Sequence, residues 1–152
     1  MRFYTKTVAM SLLLGSSVAM ADLEPFKDYD ASDAVWSVTT IRVAPNMDDA
    51  YLEGLAKTWV TTNEVAKKLG QIEEYHIYRS DMPQSGDFNL LLVVKFKDAN
   101  SANQPNKAQY DAFIKEFTKQ KSDEVTDYSQ KNYPAMREIT GQYQVREITV
   151  KK

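Results

Sequence analysis

The stretch FNLLLVVKFK at residues 88–97 constrains the fold more than any other part of this sequence. A near-continuous apolar run of this length is typical of a strand at the centre of a sheet, where both faces are covered. Strand alternation divides its apolar side chains between the two faces, with Phe88, Leu90, Leu92, Val94 and Phe96 on one and Leu91 and Val93 on the other. The sequence therefore predicts a sheet that is apolar on both faces at its centre.

Three further segments have the composition of strands. Residues 34–43 are rich in Val, Thr, Ile and Trp and precede Pro45, which also predicts a central strand. Residues 72–80 mix polar and apolar side chains, and residues 136–150 alternate, with Gly141 as the predicted bulge or bend. Both of these last segments carry several charged residues, which protect the edges of a sheet, and we expect them at its two edges.

Two helices are predicted between the strands. The first is capped by Asn46, has a regular apolar stripe that includes Trp59, and ends at Gly70. The second begins at Lys107, and its apolar pattern can continue as far as a break at Pro134. Residues 81–87 and 97–106 are rich in turn formers and are predicted to be loops.

The resulting order βαββαβ predicts an α+β, ferredoxin-like domain with an antiparallel four-stranded sheet and two helices on one face. The other face would remain open, and an apolar face of that size is unusual on a monomer, so we expect a symmetric homodimer. The element order, the long first helix and the FNLLLVVKF strand make residues 34–150 resemble the dimeric α/β-barrel group, in which two such sheets pack face to face around a closed space.

The N-terminus has the pattern of a bacterial signal peptide. Residues 1–21 contain Arg2 and Lys6, then an uncharged apolar stretch, then the sequence AMA, which predicts a cleaved, periplasmic or secreted protein without a membrane anchor that begins at Asp22. Residues 22–33 are predicted to be an acidic arm preceding the single domain at residues 34–150. Cleavage reduces the 19 basic residues to 17 against 21 acidic ones, a formal net charge of −4, which argues against a nucleic-acid partner.

His76 is the only histidine in the chain, and alternation puts Tyr78 on the same face and Tyr75 on the opposite one. An imidazole in this position can act as a general base with Tyr78 as an orienting donor, or it can be a structural histidine that hydrogen-bonds on an edge strand. Cyclases and some monooxygenases of the resembled group use a histidine.

Other side chains suit a ligand site. Trp36, Tyr75, Tyr78 and Tyr143 can line an apolar pocket or belong to the core, and Arg42 can bind an anionic ligand or pair with a neighbouring glutamate. One histidine and no cysteine make a zinc or iron site unexpected. The haem-degrading members of the resembled group place a histidine on a helix, which neither predicted helix has, and no cofactor is expected.

These residues leave two classes of function open. The first is a non-enzymatic dimer that binds a small apolar or aromatic ligand or serves as a structural module, and the lack of a recognisable catalytic motif favours it. The second is a cofactor-independent enzyme, similar to a monooxygenase or cyclase, with its site inside the barrel and His76 as the base. The resembled group contains both kinds of protein, so the fold does not choose between them.

Overall fold

The computed structural model of the chain describes residues 23–82, 86–103, 106–119 and 122–151. The predicted signal peptide, residues 1–21, lies outside the described residues. Across the described ranges, no helix has both the length and the apolar composition that a membrane span requires.

The described residues form six strands and five α-helices. The strands are β1 (Tyr29–Ala31), β2 (Val35–Val43), β3 (Glu74–Arg79), β4 (Leu90–Phe96), β5 (Arg137–Val145) and β6 (Ile148–Val150). The helices are α1 (Asp48–Leu55), which continues through a π-helical segment (Ala56–Val60) into α2 (Thr61–Lys68), then α3 (Ala99–Ala102), α4 (Lys107–Thr118) and α5 (Ser122–Met136).

Four of the strands form one antiparallel sheet in the order β3-β4-β2-β5. The two most apolar strands, β2 and β4, lie at its centre, and the charged strands β3 and β5 lie at its edges, as predicted. With the helical connections between β2 and β3 and between β4 and β5, this is the ferredoxin-like topology, an α+β fold.

The core lies between one face of this sheet and the helices. It consists of side chains from the two central strands and from α1 and α5, which are Ile41, Val43, Leu90, Leu92, Tyr51, Leu55 and Tyr133. The strand residues in this cluster all belong to the face that alternation assigned to Leu90 and Leu92. Both helical regions therefore cover the same face of the sheet. We call the other face of the sheet the open face.

For the first helical region, the sequence predicted the end correctly but not the residue that caps the beginning. Asn46 is not the cap, because it adopts a left-handed conformation with φ of 63° in the turn before the helix, and Met47 takes the cap position without a side-chain hydrogen bond. Gly70 does end the region, with φ of 67°, and its backbone N–H donates to the carbonyl of Lys67. The π-helical segment between α1 and α2 was not predicted.

The second helical region is two helices, α4 and α5. The helix does not break at Pro134, which lies inside α5 near its end, where the proline removes only one backbone hydrogen bond before the helix stops at Met136. The predicted loop at residues 97–106 contains the short helix α3, which Asp98 caps by accepting hydrogen bonds from the N–H and hydroxyl of Ser101.

The two ends of the described chain pair with each other. Residues 22–33 were predicted to be an arm without regular structure, and residues 136–150 to be one strand. Instead, β1 pairs with β6 in a separate two-stranded antiparallel sheet, and β6 is separate from β5. Lys151 fixes this ribbon through an ion pair with Asp30 of 3.0 Å and a hydrogen bond to the carbonyl of Phe26. The predicted irregularity near Gly141 is confirmed, since the β2–β5 register shifts there.

Candidate functional site

The open face carries most of the candidate site residues. Cross-strand partners in an antiparallel sheet lie on the same face, and the register aligns two rows across it. One row joins Trp36, Lys95 and Glu74, and the other joins Tyr143, Val38, Val93 and His76. Tyr78 follows His76 on the same face of β3. The structure therefore brings Trp36, His76, Tyr78 and Tyr143 to one surface.

His76 lies between two aromatic rings. The centroid of its imidazole is 6.3 Å from that of Trp36 and 5.7 Å from that of Tyr78, with interplanar angles of 30° and 34°. Trp36 reaches this position from β2, across the intervening strand β4. The His76 side chain remains 40% exposed. The three rings thus form a row of tilted planes that crosses three strands of the open face.

Glu74 connects His76 to a lysine. Its Oε2 lies 3.3 Å from Nε2 of His76, and its Oε1 lies 3.0 Å from Nζ of Lys95. The hydrogen bond from Lys95, and secondarily the one from His76, lowers the pKa of Glu74, while Glu74 raises the pKa of Lys95. Nζ of Lys95 also lies 5.2 Å from the centroid of the Trp36 ring. Glu74 is therefore an ionised acceptor shared by two neighbours.

The middle of the open face is apolar and tightly packed. Val93 is only 7% exposed although no helix covers it, because the side chains of its cross-strand neighbours surround it. On the β5 side, Tyr143 lies over Gly141, where an added Cβ would come 2.6 Å from the Tyr143 hydroxyl. Gly141 thus allows the Tyr143 ring to lie flat on the sheet, where it stays 54% exposed.

Two predicted ligand-binding residues lie apart from His76. Arg42 is on the open face at the other end of β2, and its guanidinium lies 3.4 Å from Asp87 and 3.6 Å from Glu138, so its charge is balanced by these carboxylates. Tyr75 is on the helix-covered face, and it lies opposite to His76 as alternation predicted. Its ring meets that of Trp59 edge to face at 5.3 Å.

Tyr75 is fixed in this second environment by a hydrogen bond from its hydroxyl to Glu64. Burial, followed by that carboxylate, raises the pKa of Tyr75 to about 12. A tyrosine held in this way contributes to the attachment of β3 to α2. It does not belong to the surface that His76 shares with Trp36 and Tyr143.

Glu74 and Lys95 were not among the predicted site residues. The signal for Glu74 was present, because a residue two positions before His76 in a strand shares its face. Lys95 could be recognised only as a charge inside an otherwise apolar strand, since its approach to Glu74 depends on the register between β3 and β4. Among the described residues, no group of three or more His, Asp or Glu side chains is placed to hold a metal ion.

Two clefts in the described surface lie off the open face. One of about 410 Å³ lies at the end of the sheet between Asp33, Lys97 and Arg146. Another of about 260 Å³ lies on the helix side between Ile72, Phe96 and Gln109. Neither includes a residue of the row formed by Trp36, His76 and Tyr78.

The sequence matches no protein-family model, and no curated protein matches it. Several solved structures are similar to this fold. Protein SO0527 from Shewanella oneidensis is 15% identical, with 80% of this chain and 98% of that chain covered and a TM-score of 0.49. HapK from Hahella chejuensis is 14% identical, with 74% and 91% covered and a TM-score of 0.46.

A third similar structure is a protein from Bacteroides fragilis, described as dimeric, of unknown function and of ferredoxin-like fold. It is 9% identical, with 80% of this chain and 99% of that chain covered and a TM-score of 0.39. Likenesses this remote concern the fold, and the function of the present chain has to be argued from its own residues.

Proposed function

We propose that this protein is an exported homodimer whose two open faces pack against each other and enclose a binding site for a small, partly apolar ligand. The observation that carries the proposal is the composition of the open face. Aromatic side chains that are half exposed, Tyr78 at 53% and Tyr143 at 54%, flank an apolar centre at Val38 and Val93. Exposed aromatic residues around an apolar patch mark a surface that is covered in the functional assembly.

A second copy of the chain is the cover that this surface fits best. A two-fold axis brings the same face of each copy together, so that a single interface covers both. Each copy would contribute Val38, Val93 and Tyr143 to the contact. The twist of the sheets leaves space between them, and aromatic walls with a few polar groups are usual for sites that bind small molecules.

The charged residues of the open face favour an interface that encloses a binding site over one in which the two faces pack without any space between them. Glu74, His76 and Lys95 form one connected group at one end of this face. Burying these charges against an apolar surface would cost several kcal/mol or more, whereas water or a polar ligand group beside them lowers that cost. The interior of the dimer would therefore be apolar along most of its length and polar at this end.

Catalysis without a cofactor is the second candidate, and the contact between Glu74 and His76 favours it. A carboxylate that holds an imidazole in one orientation is the arrangement in which histidine acts as a general base. We rank it below ligand binding because, among the described contacts of His76, the one hydrogen bond is to Glu74, and Tyr78 contacts the imidazole only through its ring.

The proposed location of the protein is the periplasm or the medium. It rests on the signal-peptide pattern of residues 1–21, and the absence of cysteine means that the fold uses no disulfide in that compartment. A dimer held together by apolar contacts is compatible with either location.

A matched pair of variants tests the pairing of the open faces. Tyr143 and Tyr110 have the same residue type and nearly the same exposure, 54% and 55%, but Tyr110 lies on α4. Light scattering should give twice the chain mass for the wild type and for Tyr110→Glu, and the chain mass for Tyr143→Glu, because the symmetric interface would bury two new charges. Equal masses for the two variants would contradict pairing through the open face.

A further inference from the structure

The hydrogen bond between Glu74 and His76 fixes which ring nitrogen carries the proton. An ionised carboxylate can only accept, so the nitrogen that lies 3.3 Å from Oε2 of Glu74 must be the donor. That nitrogen is Nε2. A neutral imidazole has one N–H, and its other nitrogen, Nδ1, is then left with a free lone pair.

Glu74 is held in place for this role by a second contact. Lys95 donates to the other carboxylate oxygen at 3.0 Å and lies 3.5 Å from Glu73 as well. The carboxylate therefore has one oxygen for the lysine and one for the imidazole. The charge of Lys95 is balanced by these two glutamates, so it does not attract an anion to the site.

Nδ1 of His76 has no hydrogen-bond partner in the part of the chain that the structure describes. Its ring is 40% exposed and is flanked by the rings of Trp36 and Tyr78. An acceptor between two aromatic rings suits a flat molecule that donates one hydrogen bond. The aromatic planes provide stacking contact, and the nitrogen provides the orientation.

We propose that Glu74 is a positioning residue that makes Nδ1 of His76 the hydrogen-bond acceptor of the site, and that the ligand is a neutral, planar molecule with an O–H or N–H donor. This inference rests on the proposed ligand-binding function and specifies the chemistry of its ligand. Trp36 and Tyr78 contact one flat face of the ligand, and Nδ1 selects for the donor group.

The experiment uses two flat probes, 2-naphthol and its methyl ether 2-methoxynaphthalene, of which only the first has an O–H donor. Calorimetry on the purified protein at about pH 8 measures the affinity for each. The wild type should bind 2-naphthol about fivefold more tightly, the equivalent of one net hydrogen bond of about 1 kcal/mol. His76→Phe keeps a flat ring without an acceptor and should bind both probes equally.

Glu73 provides the matched control for Glu74, because it also contacts Lys95 but does not contact His76. Glu74→Ala should lose most of the preference for 2-naphthol, and Glu73→Ala should keep it. The ¹⁵N spectrum of the single histidine gives an independent measurement that needs no ligand. In the wild type and Glu73→Ala, the ¹⁵N chemical shift of Nε2 should be that of a protonated ring nitrogen. In Glu74→Ala, the chemical shifts of both ring nitrogens should move towards the average of the protonated and unprotonated values.

The outcomes separate this inference from the function on which it rests. Equal affinity of the wild type for the two probes would overturn the inference and leave ligand binding in place. Binding of neither probe would overturn both. If Glu74→Ala kept the preference for 2-naphthol and the ¹⁵N spectrum of the wild type, Glu74 would not be a positioning residue. This test does not depend on whether His76→Phe folds.

Discussion

Gly54 of α1 lies in direct contact with the ring of Tyr128 of α5. A Cβ added to Gly54 would lie 2.8 Å from Cε1 of Tyr128 and 3.0 Å from Cε1 of Tyr133. Tyr133 is buried, and its hydroxyl is hydrogen-bonded to that of Thr58, so its ring has little freedom to move. The close packing of the two helices over the sheet therefore depends on the missing side chain at position 54.

Gly54→Ala is expected to destabilise the fold although alanine is the better helix former. Overpacking a closely packed site costs about 1–3 kcal/mol, whereas the gain in helix propensity is about 1 kcal/mol. We expect a net loss of about 1 kcal/mol in the free energy of unfolding, measured by urea denaturation. In a Tyr128→Ala background, the same substitution should cost less, because the closer of the two contacts is removed and only the contact with Tyr133 remains. An increase in stability for the single variant would contradict the packing described here.

Glu116 should make the stability of the helical layer depend on pH. Its carboxylate lies 2.5 Å from Lys68 of α2 and 3.0 Å from Lys119, and these two hydrogen bonds lower its pKa from 4.5 to about 2. Since the pKa is depressed in the folded state, the stabilisation is fully present above about pH 4.5 and is lost as the pH falls towards 2.

The measurement is the melting temperature of the wild type and of Glu116→Gln across this pH range. The two proteins should differ most above about pH 4.5 and converge near pH 2. Glu53→Gln, at an exposed position of α1, is the control and should change little at any pH. A difference between wild type and Glu116→Gln that does not vary with pH would contradict the assignment.

Export predicts a defined mature N-terminus. In a bacterial host, the protein recovered from the periplasm or medium should begin with DLEPF, because Ala19 and Ala21 provide the small residues that a signal peptidase requires. Ala21→Leu should block or shift this cleavage, and N-terminal sequencing reads the result directly. Recovery of the wild-type protein from the cytosol with residues 1–21 retained would reject the proposed location.

The central part of the fold was predictable from the sequence because it is dictated by local patterns. The apolar runs that form β2 and β4, and the charges on β3 and β5, specify the order of the sheet without any long-range information. Alternation correctly separated Tyr75 from His76. The turn at Gly70 was also predictable, since a glycine in the left-handed conformation is common where a helix ends.

The features that the sequence did not reveal depend on contacts between distant segments. The β1–β6 ribbon joins the two ends of the described chain, and neither strand has an alternating pattern long enough to be recognised. The π-helical segment contains Thr58, whose side chain bonds the carbonyl of Gly54 and the hydroxyl of Tyr133 on α5. The approach of Lys95 to Glu74 likewise depends on the sheet register. Local patterns carry no information on any of these pairings.

The central claim is that a second copy covers the open face, and the accessibility of Trp36 tests it most directly. The chain has two tryptophans, and Trp59 lies on the helix side, so Trp59→Phe leaves Trp36 as the only fluorescent indole. We predict that acrylamide quenches Trp36 severalfold less in this variant than in the same variant carrying Tyr143→Glu, which should be monomeric. Equal, strong quenching in both proteins would contradict the account, because the open face would then be exposed to solvent in the wild-type assembly.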